Sequence, residues 1–395
     1  MTSNLPRVPS RRRARSALGC WWLRLAAVAA VAGAAVATAS DSSGREAQAP
    51  LLELLSEGAA RGIYSGAVLW VAAEDQEPSV FTAGKAVRHE AASVAVAADT
   101  VFDIASITKL FTAVAVLQLV EQGNVELDSN VALYLEEFRE GTRNQVTIRQ
   151  LLTHRSGLPA WAPWYRQAGE GPQAVLAAAL KAPLVQAPGA GRLYSDLGYI
   201  ALGAVVERVS GLRLDAYVES RIAAPLGMSD TRFNPPAEWR ERVAATEWQP
   251  WTGRDLVWGS VHDENAWALG GVGGHAGLFS TAYDLARFAR AILGGGELGG
   301  VRILEPESVA KMLLRSEPLG WSRHPSAVGP FAPRGGFGHT GFTGTSILLD
   351  VESGLVAILL SNRVHPSRDG PAMTPWRSEL KTKLLSLVET EVASP

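Results

Sequence analysis

The 395-residue chain holds a single cysteine, Cys20. It precedes the apolar run Leu25–Ala39, where a lipid-anchoring cysteine would have to follow that run. Everything beyond residue 39 therefore lacks thiol chemistry and disulfides. Lysine is scarce and arginine common, a bias of composition that makes each lysine easy to examine. Charge of one sign is scarce too: the formal net charge of -2 offers no basic footprint and excludes a nucleic-acid partner of the usual kind. No H-E-x-x-H or Cys/His spacing marks a metal site, and no glycine loop of the phosphate-binding type appears. No cofactor is expected. Internal repeats are missing, and the only low-complexity tract is the alanine-rich run near the start.

The charged fraction of 19% and apolar fraction of 47% belong to a globular chain with a sizeable core. Arg7, Arg11, Arg12, Arg13 and Arg15 form a basic start, Leu25–Ala39 an apolar segment, and Ala37-Thr38-Ala39 a small-residue cleavage site. Residues 1–39 are thus predicted to be a signal peptide and the protein to be exported, periplasmic or extracellular. The apolar segment is short of the roughly 20 residues a spanning helix needs, so membrane association is expected only if the segment is not cleaved. "SRRRARS" matches a twin-arginine signal loosely. Residues 40–50 read as a polar linker.

"LLELLSEGAARG" then reads as a short helix, and "SGAVLWVAA" and "SVFTAGKAV" as strands about a turn with Pro78. At the far end "SILLDVESGLVAILLSN" reads as a hairpin about Glu352-Ser353-Gly354, and Leu380, Leu384, Leu387 and Val388 mark one face of a terminal helix. "YIALGAVVERVSG" and "TAYDLARFARAILGGG" read as helices, the first closed by glycine. The predicted fold class is α+β: an antiparallel sheet from both chain ends flanked by helices, spanning 51–390, with a mainly helical subdomain at about 120–275.

Chance supplies roughly one S-x-x-K to a chain of this length and composition, and this one contains three. Ser308 and Lys311 follow Glu305-Pro306-Glu307, an ordinary helix start with its lysine free to reach solvent. Ser378 and Lys381 sit on the charged terminal helix. Ser106 and Lys109 differ, because Leu110–Val120 carries almost no polar side chain and Lys109 must be buried or meet a cleft. Desolvation lowers the pKa of an amine, as a base for a serine nucleophile requires. On this feature alone two readings stand: a catalytic pair, or a capping serine followed by a snorkelling lysine.

Two further segments bear on that choice. "PGAGRLYSDLGYIALG" carries Tyr194 and Asp196, and "GGFGHTGFTGTSILLD" carries His339-Thr340-Gly341 at the start of a predicted strand. In this order the three segments resemble the S-x-x-K, Y-x-N and K/H-T-G triplet of the serine β-lactamase and penicillin-binding protein superfamily. The chain is similar to its class C β-lactamase, D-alanyl-D-alanine carboxypeptidase and esterase branch. "VTIRQLLTHRSGLP", "APLGMSDTRF" and "GGHAGLFSTAYDLARF" extend the likeness. "VHDENAWALGG", "GHTGFTGTS" and "LLSNRVHPSR" resemble a subgroup provisionally named as D-alanyl-D-alanine carboxypeptidases or muropeptide-processing hydrolases. No G-x-S-x-G occurs, which removes the α/β-hydrolase alternative.

The resemblance implies an acyl-enzyme on Ser106, with Lys109 as proton acceptor or relay and Tyr194 sharing acid and base work. The backbone N–H groups of Ser106 and Phe342 would form the oxyanion hole. Asp196, His339, Thr340 and Gly341 would line the substrate, with His339, as a cation, on its carboxylate. Asp196 departs from the usual asparagine, and a carboxylate only accepts hydrogen bonds. That argues against efficient β-lactam or peptide-amide recognition, although Asp196 could hold Lys109 by charge. His339 stands in place of a lysine, which argues against a β-lactamase more than against a hydrolase. His262, Asp263 and Asn265 would shape a cleft-edge loop, and the central tryptophans hint at an aromatic-lined cleft. The implied substrate is a D-alanyl peptidoglycan peptide. The alternatives are a small ester, weak β-lactamase activity, or a low-turnover penicillin-binding sensor or scaffold.

Overall fold

The computed structural model describes residues 42–392, apart from 74–75 and 90–91; the predicted signal peptide lies outside the described residues. At its centre is a six-stranded antiparallel sheet. Strands β1 (Gly66–Ala72), β2 (Ser79–His89) and β3 (Ala92–Ala95) come early in the chain, and β4 (Gly336–Thr340), β5 (Ser346–Asp350) and β6 (Leu355–Ser361) late. Their order is β3-β2-β1-β6-β5-β4. The two groups meet where β1 pairs with β6, Ala67 opposite Ser361 and Ala72 opposite Val356.

The helices that frame the sheet and the site are α1 (Ser42–Ala60), α2 (Thr108–Glu121), α3 (Asp196–Ser210), α4 (Ala282–Leu293) and α5 (Met373–Val392). Alternation along the strands sends Val68, Trp70, Ile358 and Leu360 into the main core. Ala67, Leu69, Ala357 and Leu359 face the opposite way, against Leu51, Leu54 and Leu55 of α1 and Trp376, Leu380 and Leu384 of α5. Both faces are covered, so β1 and β6 read as unbroken apolar runs rather than alternating ones. Trp376 ties the two helices together by donating its indole N–H to the Leu54 carbonyl at 3.2 Å.

The α+β class and the sheet built from both chain ends are as the sequence suggests, with three differences. Helix α1 begins at Ser42, so residues 42–50, read as linker, are helical. That stretch contains Arg45, Glu46, Ala47, Gln48 and Ala49, all good helix formers, and it runs straight into the apolar face that docks on the sheet. His339-Thr340 closes strand β4 rather than opening a strand. Thr340 pairs with Ser346 and the Gly341 N–H donates to the Thr345 carbonyl at 2.8 Å, so Gly341 lies in the hairpin turn. Lys381, on the terminal helix read as charged, is buried.

Helix α2 is buried on every side from Thr108 to Leu119, which explains its lack of a polar stripe. A small sheet of Phe102–Asp103, Leu278–Ser280 and Arg232–Phe233 lies beside its start. It brings the segment before Ser106 against the segment after His275.

Candidate active site

Ser106 occupies the short 3-10 turn Ala105–Ile107 that leads into α2. Ala105 before it has φ 47°, a left-handed backbone that costs a non-glycine residue about 1–2 kcal/mol. The conformation is held by Asp103, whose Oδ1 accepts the Ala105 N–H at 2.8 Å and whose Oδ2 accepts the His262 N–H at 2.7 Å. Burial nevertheless pushes the Asp103 carboxyl above the ordinary aspartate range. From the other side, Thr345 Oγ1 donates to the Ile104 carbonyl at 3.1 Å and Thr343 Oγ1 to the Asp103 carbonyl at 2.8 Å. The β4–β5 turn is thereby stitched to the serine turn. A Cβ on Gly341 would sit 2.7 Å from the Ile104 carbonyl oxygen, so only glycine permits this approach.

Lys109 is the most enclosed charged group of the site, with a relative exposure of 0%. Its Nζ donates to Ser106 Oγ and to the His275 carbonyl, each at 2.9 Å, and lies 2.7 Å from Asp196 Oδ1. It also sits over the Tyr194 ring, 5.1 Å from its centroid. Burial pulls the amine's pKa down, but the Asp196 carboxylate and Tyr194 outweigh it, and the net value is pushed up to about 12. This overturns the expectation of a depressed lysine. Burial alone would have lowered the value; the ion pair reverses the sign.

Tyr194 and Asp196 come from the turn that starts α3, and the loop carrying "THRSGLP" braces that turn. Ser195 caps α3 by accepting the Gly198 N–H at 3.2 Å and donates its hydroxyl to the Pro159 carbonyl at 2.7 Å. The Ser195 N–H donates to His154 Nδ1 at 3.0 Å, and the Asp196 N–H to the Ala160 carbonyl at 2.9 Å. The His154 ring lies 4.3 Å from the Tyr194 ring. Burial, together with the charges of Lys109 and Arg192, holds His154 well below the usual histidine value, so it is a neutral acceptor. Sequence reasoning missed His154 as a support for Tyr194, and it missed Asp103 altogether. The signal for both was a polar residue inside an otherwise buried stretch.

His339 lines a cavity with Tyr194, Thr340 and Arg192. Its Nδ1 contacts the Thr340 carbonyl at 3.1 Å, and since a carbonyl only accepts, Nδ1 carries the proton. Burial and the charge of Lys109 push its pKa down to about 3. The ring is neutral, with Nε2 left as an acceptor, so the cationic carboxylate anchor expected at His339 is not there. Arg192 supplies positive charge to this cavity instead, with no hydrogen bond or ion pair of its own among the described residues. Phe342, after Gly341, is 48% exposed, and its carbonyl accepts from Arg363 Nε at 2.9 Å.

The acids and histidines around His262 and His275 are paired within the protein. His275 Nε2 meets Asp263 Oδ1 at 2.9 Å, which steadies the segment whose carbonyl holds Lys109. His262 Nε2 meets Glu247 Oε2 at 2.9 Å, and Arg368 bridges Glu247 and Glu264. Asn265 accepts the Tyr165 N–H and donates to the Ala162 carbonyl, each at 2.9 Å, so the loop bearing Trp161 is pinned beside them. Of the other two S-x-x-K pairs, Lys311 reaches Glu307 at 2.9 Å on the surface. Lys381 points inward and donates to the Ser326 carbonyl at 2.7 Å.

Comparison with known proteins gives the family. The β-lactamase family model matches residues 51–380. A Salmonella heidelberg protein provisionally named as a D-alanyl-D-alanine carboxypeptidase is 33% identical over 314 residues, 70% of this chain and 72% of its own length. Among solved structures, an octameric penicillin-binding protein homologue from Pyrococcus abyssi has a TM-score of 0.67 at 23% identity, covering 88% of this chain and 78% of that one. A class C β-lactamase has a TM-score of 0.71 at 19% identity, covering 88% and 98%. At such identities the structural likeness is one of fold, while the matched family model and the Salmonella relative carry the kinship. The chain belongs to the β-lactamase family, as a serine hydrolase of the β-lactamase and penicillin-binding protein superfamily.

Proposed function

We propose that the protein is an exported hydrolase, freed of residues 1–39, that cleaves D-alanyl-D-alanine-ended peptidoglycan peptides through an acyl-enzyme on Ser106. The observation that carries this reading is the 2.9 Å contact between Ser106 Oγ and the enclosed Lys109 ammonium. Ser106 Oγ attacks the carbonyl carbon, and the oxyanion is received by the N–H groups of Ser106 and Phe342. Tyr194 relays the proton: its oxygen takes the Ser106 proton as its own O–H proton passes to the departing amine nitrogen, so the C–N bond breaks with the phenol unchanged, and water then hydrolyses the ester and restores the serine. Lys109, held as a cation by Asp196, stabilises negative charge at Ser106 and Tyr194 rather than serving as the resting base. His339, Thr340 and Gly341 form one wall of the substrate cleft.

The test is intact-mass analysis after incubation with a penicillin, a D-alanyl-D-alanine peptide and a short nitrophenyl ester. Ser106→Ala is expected to abolish every adduct; an adduct that persists would end this reading. One observation favours a second reading, a small-ester hydrolase. Asp196 is engaged with Lys109 at 2.7 Å and offers no amide donor to a peptide or β-lactam. Turnover of the ester without turnover of the peptide would decide for it.

A further inference from the structure

The cavity of about 220 Å³ beside Tyr194 and His339 is also lined by Arg192, Ser322, His324 and Ser326. It adjoins a second cavity of about 240 Å³. The two share Arg192, Ser322 and His324, so they are lobes of one cleft with Arg192 at the junction. Tyr194 opens onto the inner lobe, and Tyr194 is the group proposed to protonate the departing amine. The cleft therefore lies on the leaving-group side of the scissile bond.

Its outer lobe carries net positive charge: Arg155, Arg192, Arg315 and Arg323 line it with one carboxylate, Glu317, and a second, Glu352, reaches Arg315 from outside the lining. Arg155 pairs with Glu317 at 3.0 Å, Arg315 with Glu352 at 3.1 Å, and Arg323 donates to the backbone carbonyls of Gly336 and Ala332. Arg192 alone of the four has no partner among the described residues, yet its charge is felt at both His154 and His339. An unpaired guanidinium between two polar cavities suits a planar carboxylate. A single residue spans at most about 3.6 Å, so a lone D-alanine at Tyr194 leaves the outer lobe unfilled.

We propose that this cleft selects an amine-side leaving group carrying at least two carboxylates, one met by Arg192 and the next by the arginines of the outer lobe. The inference rests on the acyl-serine reading above and extends it from release of one terminal residue to cleavage ahead of an anionic peptide. Bond making and breaking are unchanged; only the departing amine is larger.

The test uses substrates with one common acyl part and three leaving groups: D-alanine amide, D-alanine, and the dicarboxylate D-alanyl-D-glutamate. For the wild type, kcat/KM is expected to rise with each added carboxylate. Arg192→Ala should lower the dicarboxylate-to-amide ratio by about 10- to 100-fold, the worth of a hydrogen bond to a charged group. Arg192→Lys should restore part of it, and added salt should compress it. A wild-type ratio of dicarboxylate to monocarboxylate at or below one overturns the proposal, as does the same ratio in Arg192→Ala. Calorimetry of free D-alanyl-D-glutamate separates the two readings, since it needs no turnover. Arg192-dependent binding without any acylation of Ser106 would sink the acyl-enzyme reading and leave the anionic cleft standing, whereas no binding would sink the cleft.

Discussion

Two lysines of this chain sit in S-x-x-K spacing inside the protein and behave in opposite ways. Lys109, at 0% exposure, is pushed up to about 12. Lys381, at 4% exposure, is pushed down to about 8 by burial and by the nearby charge of Arg377. Both donate to a backbone carbonyl, so neither burial nor that bond separates them. Lys109 has a carboxylate at 2.7 Å, whereas Lys381 has the Ser326 carbonyl and a second cation. Whether an enclosed lysine keeps its proton is decided by its partner, and a three-residue spacing says nothing of that partner.

The comparison is broken most violently at Lys109. Lys109→Met should reduce acylation of Ser106 by about 100-fold or more, the scale of a lost acid–base group. It should also cost about 3 kcal/mol of stability, because Asp196 is left partly buried without its counter-ion. Combining it with Asp196→Asn should recover most of the stability and none of the activity, as urea unfolding and ester turnover would report.

Asp196→Asn alone should make Lys109 resemble Lys381. With the carboxylate gone, burial prevails and the amine should titrate below 10.5, read by NMR of carbon-labelled lysine. A value still near 12 would mean that something other than Asp196 holds the charge. In the wild type the raised value means that the contribution of Lys109 to stability is fully present below pH 10.5 and is lost as pH rises toward 12.

Lys381 has the opposite sign. Between about pH 8 and 10.5 the unfolded chain binds the proton that the folded one has released, so wild-type stability should gain from this group as pH rises through that window. Lys381→Met removes the penalty and should stabilise the protein at pH 7 by about 1–2 kcal/mol, after the lost bond to Ser326 is discounted. The gain should vanish above pH 10.5 in unfolding curves taken across the window. The smallest effect belongs to Lys311→Ala, whose exposed pair with Glu307 should be worth no more than about 0.5 kcal/mol.

Much of this was legible in the residues themselves. The strand pairs at both ends showed as apolar runs bounded by turns, and Lys109 stood out because almost nothing polar, only Thr112 and Gln118, follows it before Glu121. The pairing of Asp196 with Lys109 was among the sequence's expectations and the 2.7 Å contact bears it out; what was not legible was the net charge state, which depends on how far burial and that ion pair offset each other. The burial of Lys381 was not legible, because "SELKTKLL" looks charged while one stripe of that helix packs on the sheet. His339 was misread for a related reason: it replaces a lysine, but its enclosure beside Lys109 removes the positive charge that the replacement implied. His154 and Asp103 act through backbone groups of their neighbours, and side-chain patterns do not reveal such contacts.

The pairing of β1 with β6 sets the order in which the protein can come into being. Strand 66–72 emerges early from the ribosome, but its neighbour at 355–361 is made almost last. Until then the edge of β1 that pairs with β6, and the face of α1 that meets Trp376 of α5, lack their partners. Contacts this distant in sequence form slowly. A chain cut short before residue 355 therefore lacks the strand that joins the two halves of its sheet.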